Sequence, residues 1–177
     1  DQHHHIMTKI TFGTDGWRAI IAKEFTVANV ARIAEGTALW ALKQSPSPTV
    51  VVGHDCRFGG ELFADTVARV ITRHGIKVFM ATGFVTAPMV SMATKNTGST
   101  LGVFITASHN PPMYNGYKLK GHYGGPLLEK QIKEVESLIP DRLQANPEDV
   151  DMKTREKEGL LEHLDMESMY CHFLESS

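Results

Sequence analysis

Two spacings of apolar residues alternate along this chain. From Val27 onward the apolar positions fall at Val30, Ala31, Ala34, Ala38, Ala41 and Leu42, the three-and-four spacing of one helical face. Thr26 precedes them as an N-cap, and Ser45-Pro46-Ser47-Pro48 ends them. The β-branched run 49–53 then reads as a buried strand. Phe63, Val67, Val70, Ile71 and His74 mark a second helical stripe, stopped by Gly75. Residues 76–80 form a second strand. Pro88 opens a third helix that carries Met89, Val90, Met92 and Ala93 and stops at Asn96-Thr97-Gly98. Residues 101–105 are apolar throughout and predict a third strand, with a fourth at 116–120. Leu127, Leu128, Ile132, Val135, Leu138 and Ile139 return to helical spacing.

This strand–helix alternation predicts an α/β fold with a mostly parallel sheet and helices on both faces. Ligands in such folds gather beyond the carboxyl ends of the strands. Asp55 and Arg57 follow the first of these strands and Ser108 the third, so they converge on one rim despite their separation in sequence. Residues 141–158 are polar, with Pro147 and several acids, and read as a loop or linker. Residues 159–177 read as a terminal helix. His3-His4-His5 ahead of Met7 resembles the remnant of a purification tag, so residues 1–7 are set aside from any metal argument.

Composition narrows the function classes. With 177 residues, 42% hydrophobic and 21% charged, the chain is long enough for a sizeable core. A net charge of −2 offers no basic surface for nucleic acid or an acidic membrane. No apolar run approaches the ~18–20 residues that span a bilayer. Cys56 and Cys171 lie far apart and outside any Cys-x-x-Cys spacing. That argues against a disulfide framework or zinc site and for a reducing, cytoplasmic setting, with Cys56 a small filler.

The chemistry concentrates in Ile105-Thr106-Ala107-Ser108-His109-Asn110-Pro111-Pro112. A strand that stops at Ala-Ser before two prolines holds its serine on a stiff, exposed turn. Such a hydroxyl suits covalent chemistry. Adjacent Ser108 and His109 do not make a hydrolase dyad, because neighbouring side chains on extended backbone point apart. There is also no Gly-x-Ser-x-Gly elbow. A phosphoryl carrier needs an exposed oxygen, cations and a proton-moving group. Lys118, Arg18 and His109 are candidates for the last two. Arg18 is equally placed to stack on Trp17, and Asp55 with Arg57 reads as a structural ion pair.

The eight-residue string resembles the phosphoserine loop of the α-D-phosphohexomutases. Phe12-Gly13-Thr14-Asp15-Gly16-Trp17-Arg18, Val50-Val51-Val52-Gly53-His54-Asp55-Cys56-Arg57, Tyr114-Asn115-Gly116-Tyr117-Lys118 and Gly124-Gly125 resemble further segments of that family, in the same order. The resemblance runs from about Lys9 to Ile139. It implies a three-layer α/β/α sandwich over residues 8–140 whose small mixed sheet ends in an antiparallel strand, the first of four domains. It also implies a resting phosphoserine at Ser108 that exchanges its phosphoryl group with a sugar phosphate through a bisphosphorylated intermediate. His109, Lys118 and Arg18 would share the catalytic work, and Thr14 and Asn110 would contact substrate. Mg²⁺ would be held by the phosphorylated Ser108 together with carboxylates of the second domain, and a hexose 1,6-bisphosphate would act as activator.

The segments that would carry the metal loop, the sugar-selecting loop and the phosphate clamp do not occur in this sequence. The resemblance thus leads to the expectation of an isolated first domain, inactive by itself, whose partners are a hexose phosphate and the remaining domains. Glucose, mannose and glucosamine phosphates are not separated by these residues, and a non-catalytic sugar-phosphate-binding domain of the same fold is a further alternative. Two departures concern subfamily. Ala19 stands where the family often has Gly, and Val85-Thr86-Ala87-Pro88 where Thr-Pro-Thr-Pro is common.

Overall fold

The computed structural model describes residues 9–13 and 16–176. Six strands are present: β1 (Trp17–Ile20), β2 (Thr49–His54), β3 (Lys77–Ala81), β4 (Leu101–Ile105), β5 (Tyr114–Gly121) and β6 (Leu161–Leu164). They form one sheet in the order β1-β5-β4-β2-β3-β6. The run β4-β2-β3-β6 is parallel, and β5 pairs antiparallel with both β4 and β1. The helices are α1 (Val27–Gln44), α2 (Gly60–Arg73), α3 (Ala87–Asn96), α4 (Glu129–Ser137), α5 (Met152–Lys157) and α6 (Met166–Glu175).

The period-two alternation of a strand decides which face each helix covers. Val50 and Val52 of β2, with Leu101, Val103 and Ile105 of β4, enter a core closed by Val30 and Ala34 of α1, Val67 and Ile71 of α2, and Val135 of α4. Val51 and Phe104 point the other way, against Val90 and Ala93 of α3 and Met166 of α6. The architecture is therefore a three-layer α/β/α sandwich around a mixed sheet. β4 is buried on both faces, which is why its sequence is apolar at every position but Gly102. Gly102 is small because Thr94 of α3 sits against it: a Cβ there would stand 2.3 Å from the threonine hydroxyl.

Local signals explain most element ends. Thr26 caps α1 by accepting the Asn29 N–H at 3.2 Å. Gly75 follows α2 with φ +75°, a left-handed conformation glycine adopts without strain. Two expectations are corrected. Residues 159–177 are not one helix: β6 adds to the open edge of β3, and only then does α6 begin. Leu160, Leu161 and Leu164 have a spacing that fits either state, and the unpaired backbone of β3 decides between them. Residues 141–158 are not a bare linker either. They hold a 3₁₀ turn (Pro147–Asp149) and α5. Pro147 and Val150 are buried, and Arg69 of α2 donates to the Val150 carbonyl at 2.6 Å. Cys56 and Cys171 are both exposed free thiols, so Cys56 is not a core filler. Among the described residues no helix is long and apolar enough to cross a membrane.

Asp165 caps α6 and gives a pH prediction. Its carboxylate accepts from the Ser168 N–H at 3.0 Å and the Ser168 hydroxyl at 2.9 Å. These bonds, the backbone one first, hold its pKa below the ordinary 3.8. A carboxyl whose pKa is lower folded than unfolded stabilises the folded form above its unfolded pKa, and that contribution is lost as pH falls through the folded value. Protection of the Ser168 amide against hydrogen exchange should therefore fall with acidification in the native chain. In Asp165→Asn, which keeps an acceptor oxygen but cannot titrate, protection should be independent of pH. An identical acid profile in both would remove the cap from the account.

Candidate functional site

The rim beyond the carboxyl ends of β2 and β4 is built by register. Gly53 lies beside Phe104 and His54 beside Ile105, so the segments leaving the two strands start side by side. Asp55 follows β2, and its N–H donates to the Ile105 carbonyl at 3.1 Å. Its carboxylate accepts from the Thr106 hydroxyl at 2.5 Å and from the Arg57 N–H at 2.9 Å. The Thr106 hydroxyl in turn accepts the Ser108 N–H at 3.2 Å. Ser108 itself is exposed, with φ +37°. A non-glycine residue in the left-handed region persists where its surroundings over-determine it, at a cost of about 1–3 kcal/mol. The surroundings here are the bonds just given.

β5 brings the ammonium. Lys118 pairs across the ladder with Phe104 and Tyr117 with Ile105. Tyr117 is fully buried on the α1 side, its hydroxyl 2.8 Å from that of Thr37, and burial raises its pKa. Alternation then turns Lys118 to the opposite face, where Nζ lies 3.4 Å from Ser108 Oγ. β1 brings the guanidinium. Arg18 lies beside Gly116 and donates through one nitrogen to the Ala107 carbonyl at 3.3 Å and to Asn110 Oδ1 at 2.5 Å. Its Nε is buried with no hydrogen-bond partner among the described residues. Trp17 stacks on Phe25 in the core, centroids 4.9 Å apart, so Arg18 serves the rim rather than the indole.

The structure thus brings Ser108, Lys118, Arg18 and Asn110 together. His109 is exposed next to Ser108 and makes no side-chain hydrogen bond among the described residues. Thr14 lies outside the described residues. The Asp55–Arg57 ion pair is corrected: the carboxylate takes the Arg57 backbone N–H, while the guanidinium reaches across to the serine loop. It donates to the carbonyls of Pro111 (2.8 Å), Tyr114 (3.1 Å), Ser108 (2.9 Å) and Asn110 (2.5 Å). Sequence reasoning missed this contact, although Asp-x-Arg after β2 and the serine after β4 were already placed on one rim. An open groove lies outside the ends of β2 and β3, lined by Asp55, Arg57, Phe58, Leu62, Met80 and Phe84 among others. Ser108 and Lys118 are not in its walls. Among the described residues no three His, Cys, Asp or Glu are grouped to hold a metal ion.

The rim of this α/β/α sandwich thus carries an exposed, conformationally constrained hydroxyl with an ammonium in contact. The family model described as phosphoglucomutase/phosphomannomutase, alpha/beta/alpha domain I, matches residues 9–146. The chain belongs to this family. It is 36% identical over 133 residues to the phosphoglucomutase of Staphylococcus aureus (strain USA300), covering 72% of this chain and 24% of the relative. A Schizosaccharomyces pombe protein named as a phosphoribomutase is 37% identical over 141 residues, 76% of this chain and 24% of its own length. Among solved structures, a Thermus thermophilus protein named as a phosphomannomutase superposes with a TM-score of 0.85 at 35% identity, covering 96% of this chain and 36% of that one. The chain spans about a quarter of the length of the curated relatives it matches.

Proposed function

We propose that this chain is the phosphoryl-carrying domain of a sugar-phosphate mutase that interconverts hexose 1-phosphate and hexose 6-phosphate through a bisphosphorylated sugar. The observation that carries the reading is the 3.4 Å approach of Lys118 Nζ to Ser108 Oγ on a loop whose serine is held at φ +37°. In the forward half-reaction the bond between Ser108 Oγ and phosphorus breaks and one between a sugar hydroxyl and phosphorus forms. The hydroxyl gives up a proton and Ser108 Oγ gains one. Lys118 is in reach of the second transfer, and His109, exposed beside the serine, is open to the first. Arg18 and Lys118 supply the positive charge that a phosphoryl group of about −1.5 to −2 needs.

Mg²⁺, when bound, would neutralise charge on the transferring group. Among the described residues phosphorylated Ser108 would be the group that holds it, since the Asp55 carboxylate is already engaged by Thr106 and Arg57. The other ligands would be carboxylates from outside these residues. The 177-residue chain alone is then a weak Mg²⁺ binder without mutase turnover, since grip on the distal phosphate also comes from elsewhere. A pentose phosphate is the second reading, favoured by the 37% identity to a relative named as a phosphoribomutase.

Lys118→Met tests the assignment in the protein that carries this chain. Methionine keeps an unbranched side chain one atom shorter and removes the ammonium with its exchangeable protons. The expected outcome is a fall in kcat of roughly 10²–10⁴-fold, the span of general acid–base contributions, with KM little changed. A rise in KM at constant kcat would make Lys118 a substrate-binding residue instead.

A further inference from the structure

We infer that Arg57 is the positioning residue of the serine loop, a guanidinium that fixes where Ser108 stands without touching substrate; this rests on the reading of Ser108 as the phosphoryl carrier. One side chain from the segment after β2 donates to four carbonyls, of Ser108, Asn110, Pro111 and Tyr114, which run from the serine to the first residue of β5. Arginine's planar, forked donors match this task, and a lysine's single ammonium does not. Asp55 completes the clamp from below. It holds the Arg57 backbone through one oxygen and Thr106 through the other, so both ends of the contact hang from one carboxylate. The Asn115 amide adds a bond to the Phe58 carbonyl at 3.4 Å, tying β5 to the residue after Arg57.

The geometry gives this clamp a purpose beyond packing. The loop is exposed at Ser108, His109, Pro111, Pro112 and Met113, so hydrophobic burial does not hold it. Its own backbone contributes two short turns, Asn110 N–H to Ala107 at 2.9 Å and Tyr114 N–H to Pro111 at 2.9 Å, and one bond at its far end, where the Met113 carbonyl accepts the Ile21 N–H at 2.7 Å. Arg57 holds the Ser108 carbonyl at 2.9 Å while the Ser108 hydroxyl lies 3.4 Å from Lys118 Nζ, so the guanidinium engages the backbone and leaves the hydroxyl to the ammonium. A serine that must meet a sugar hydroxyl in line needs that constraint before the substrate arrives.

The test is amide hydrogen exchange on the 177-residue chain, with a melting curve as control. Arg57→Ala should speed exchange at Asn110 and Tyr114 by on the order of tenfold or more, the loss expected for charge-assisted hydrogen bonds. Amides of β2 and β4 should be unaffected. Arg57→Lys keeps the charge but not the fork, and should loosen the loop nearly as far. If Arg57→Ala does not fold, the lysine variant carries the same comparison. In the protein that carries this chain, Arg57→Ala should lower kcat while KM stays within about twofold. Unchanged loop exchange in Arg57→Ala, or full restoration by lysine, overturns the clamp. Absence of phosphate on Ser108 together with a loosened loop defeats the carrier reading and leaves the clamp standing.

Discussion

Replacing Ser108 by alanine should cost the protein that carries this chain roughly 10⁴-fold or more in mutase turnover, as loss of a covalent nucleophile does elsewhere. The effect should be this large because, among the described residues, no neighbouring hydroxyl is free to take over. Thr106, the nearest candidate in sequence, is 2% exposed, and its oxygen already donates to Asp55 and accepts from the Ser108 N–H. Peptide mapping of the native protein should place phosphate on Ser108, and the alanine variant should carry none on this loop. The fold should tolerate the change, since Ser108 is exposed and its hydroxyl is engaged only at its edge, by Lys118 Nζ at 3.4 Å. An alanine variant that keeps native turnover would end the carrier reading, whatever the loop's geometry.

How much of this was legible in the sequence differs from element to element. β4 (Leu101–Ile105) was readable to the residue, because a strand buried on both faces leaves a continuous apolar run. α1 was readable because Thr26 caps it and its apolar stripe is long. β1 (Trp17–Ile20) was not: four residues interrupted by Arg18 carry little periodicity, and their state is decided by pairing with β5, about a hundred residues away. β6 failed for the same reason, its leucines fitting either period. At the site, the exposed turn that holds Ser108 could be read from its own loop. The approach of Lys118 could not, since it depends on the register that sets Lys118 across from Phe104. Arg57 was misread because the sequence shows its neighbour Asp55 but not the carbonyls that compete for the guanidinium. A local pair is the simplest guess from spacing, and a cluster of four acceptors exists only after β2 and β4 are laid side by side.

Gly116→Ala should be strongly destabilising for a single added methyl group near the site. Gly116 is buried, and an added Cβ would stand 2.4 Å from the Thr106 carbonyl oxygen, 3.0 Å from Arg18 Cγ and 3.1 Å from the Trp17 carbonyl oxygen. Two of these three are backbone atoms, and they cannot swing away as a side chain would. The Thr106 N–H donates to the Gly116 carbonyl at 3.0 Å, and Arg18 is its ladder partner, so relief requires β5 to move from both neighbours at once. Overpacking of this kind costs about 1–3 kcal/mol, and the lack of a yielding partner puts this case at the upper end. Gly83→Ala is the matched control: nothing lies within 4 Å of its added Cβ, and the change should stay within about 0.5 kcal/mol. Urea denaturation of the two variants measures the difference directly. The shift should be accompanied by loss of loop order, because the atoms that must move include Thr106 and Arg18, which position Ser108 and Asn110. A Gly116→Ala midpoint equal to that of Gly83→Ala would mean that β5 has slack at this point, and the close strand contact would then not be what fixes the rim.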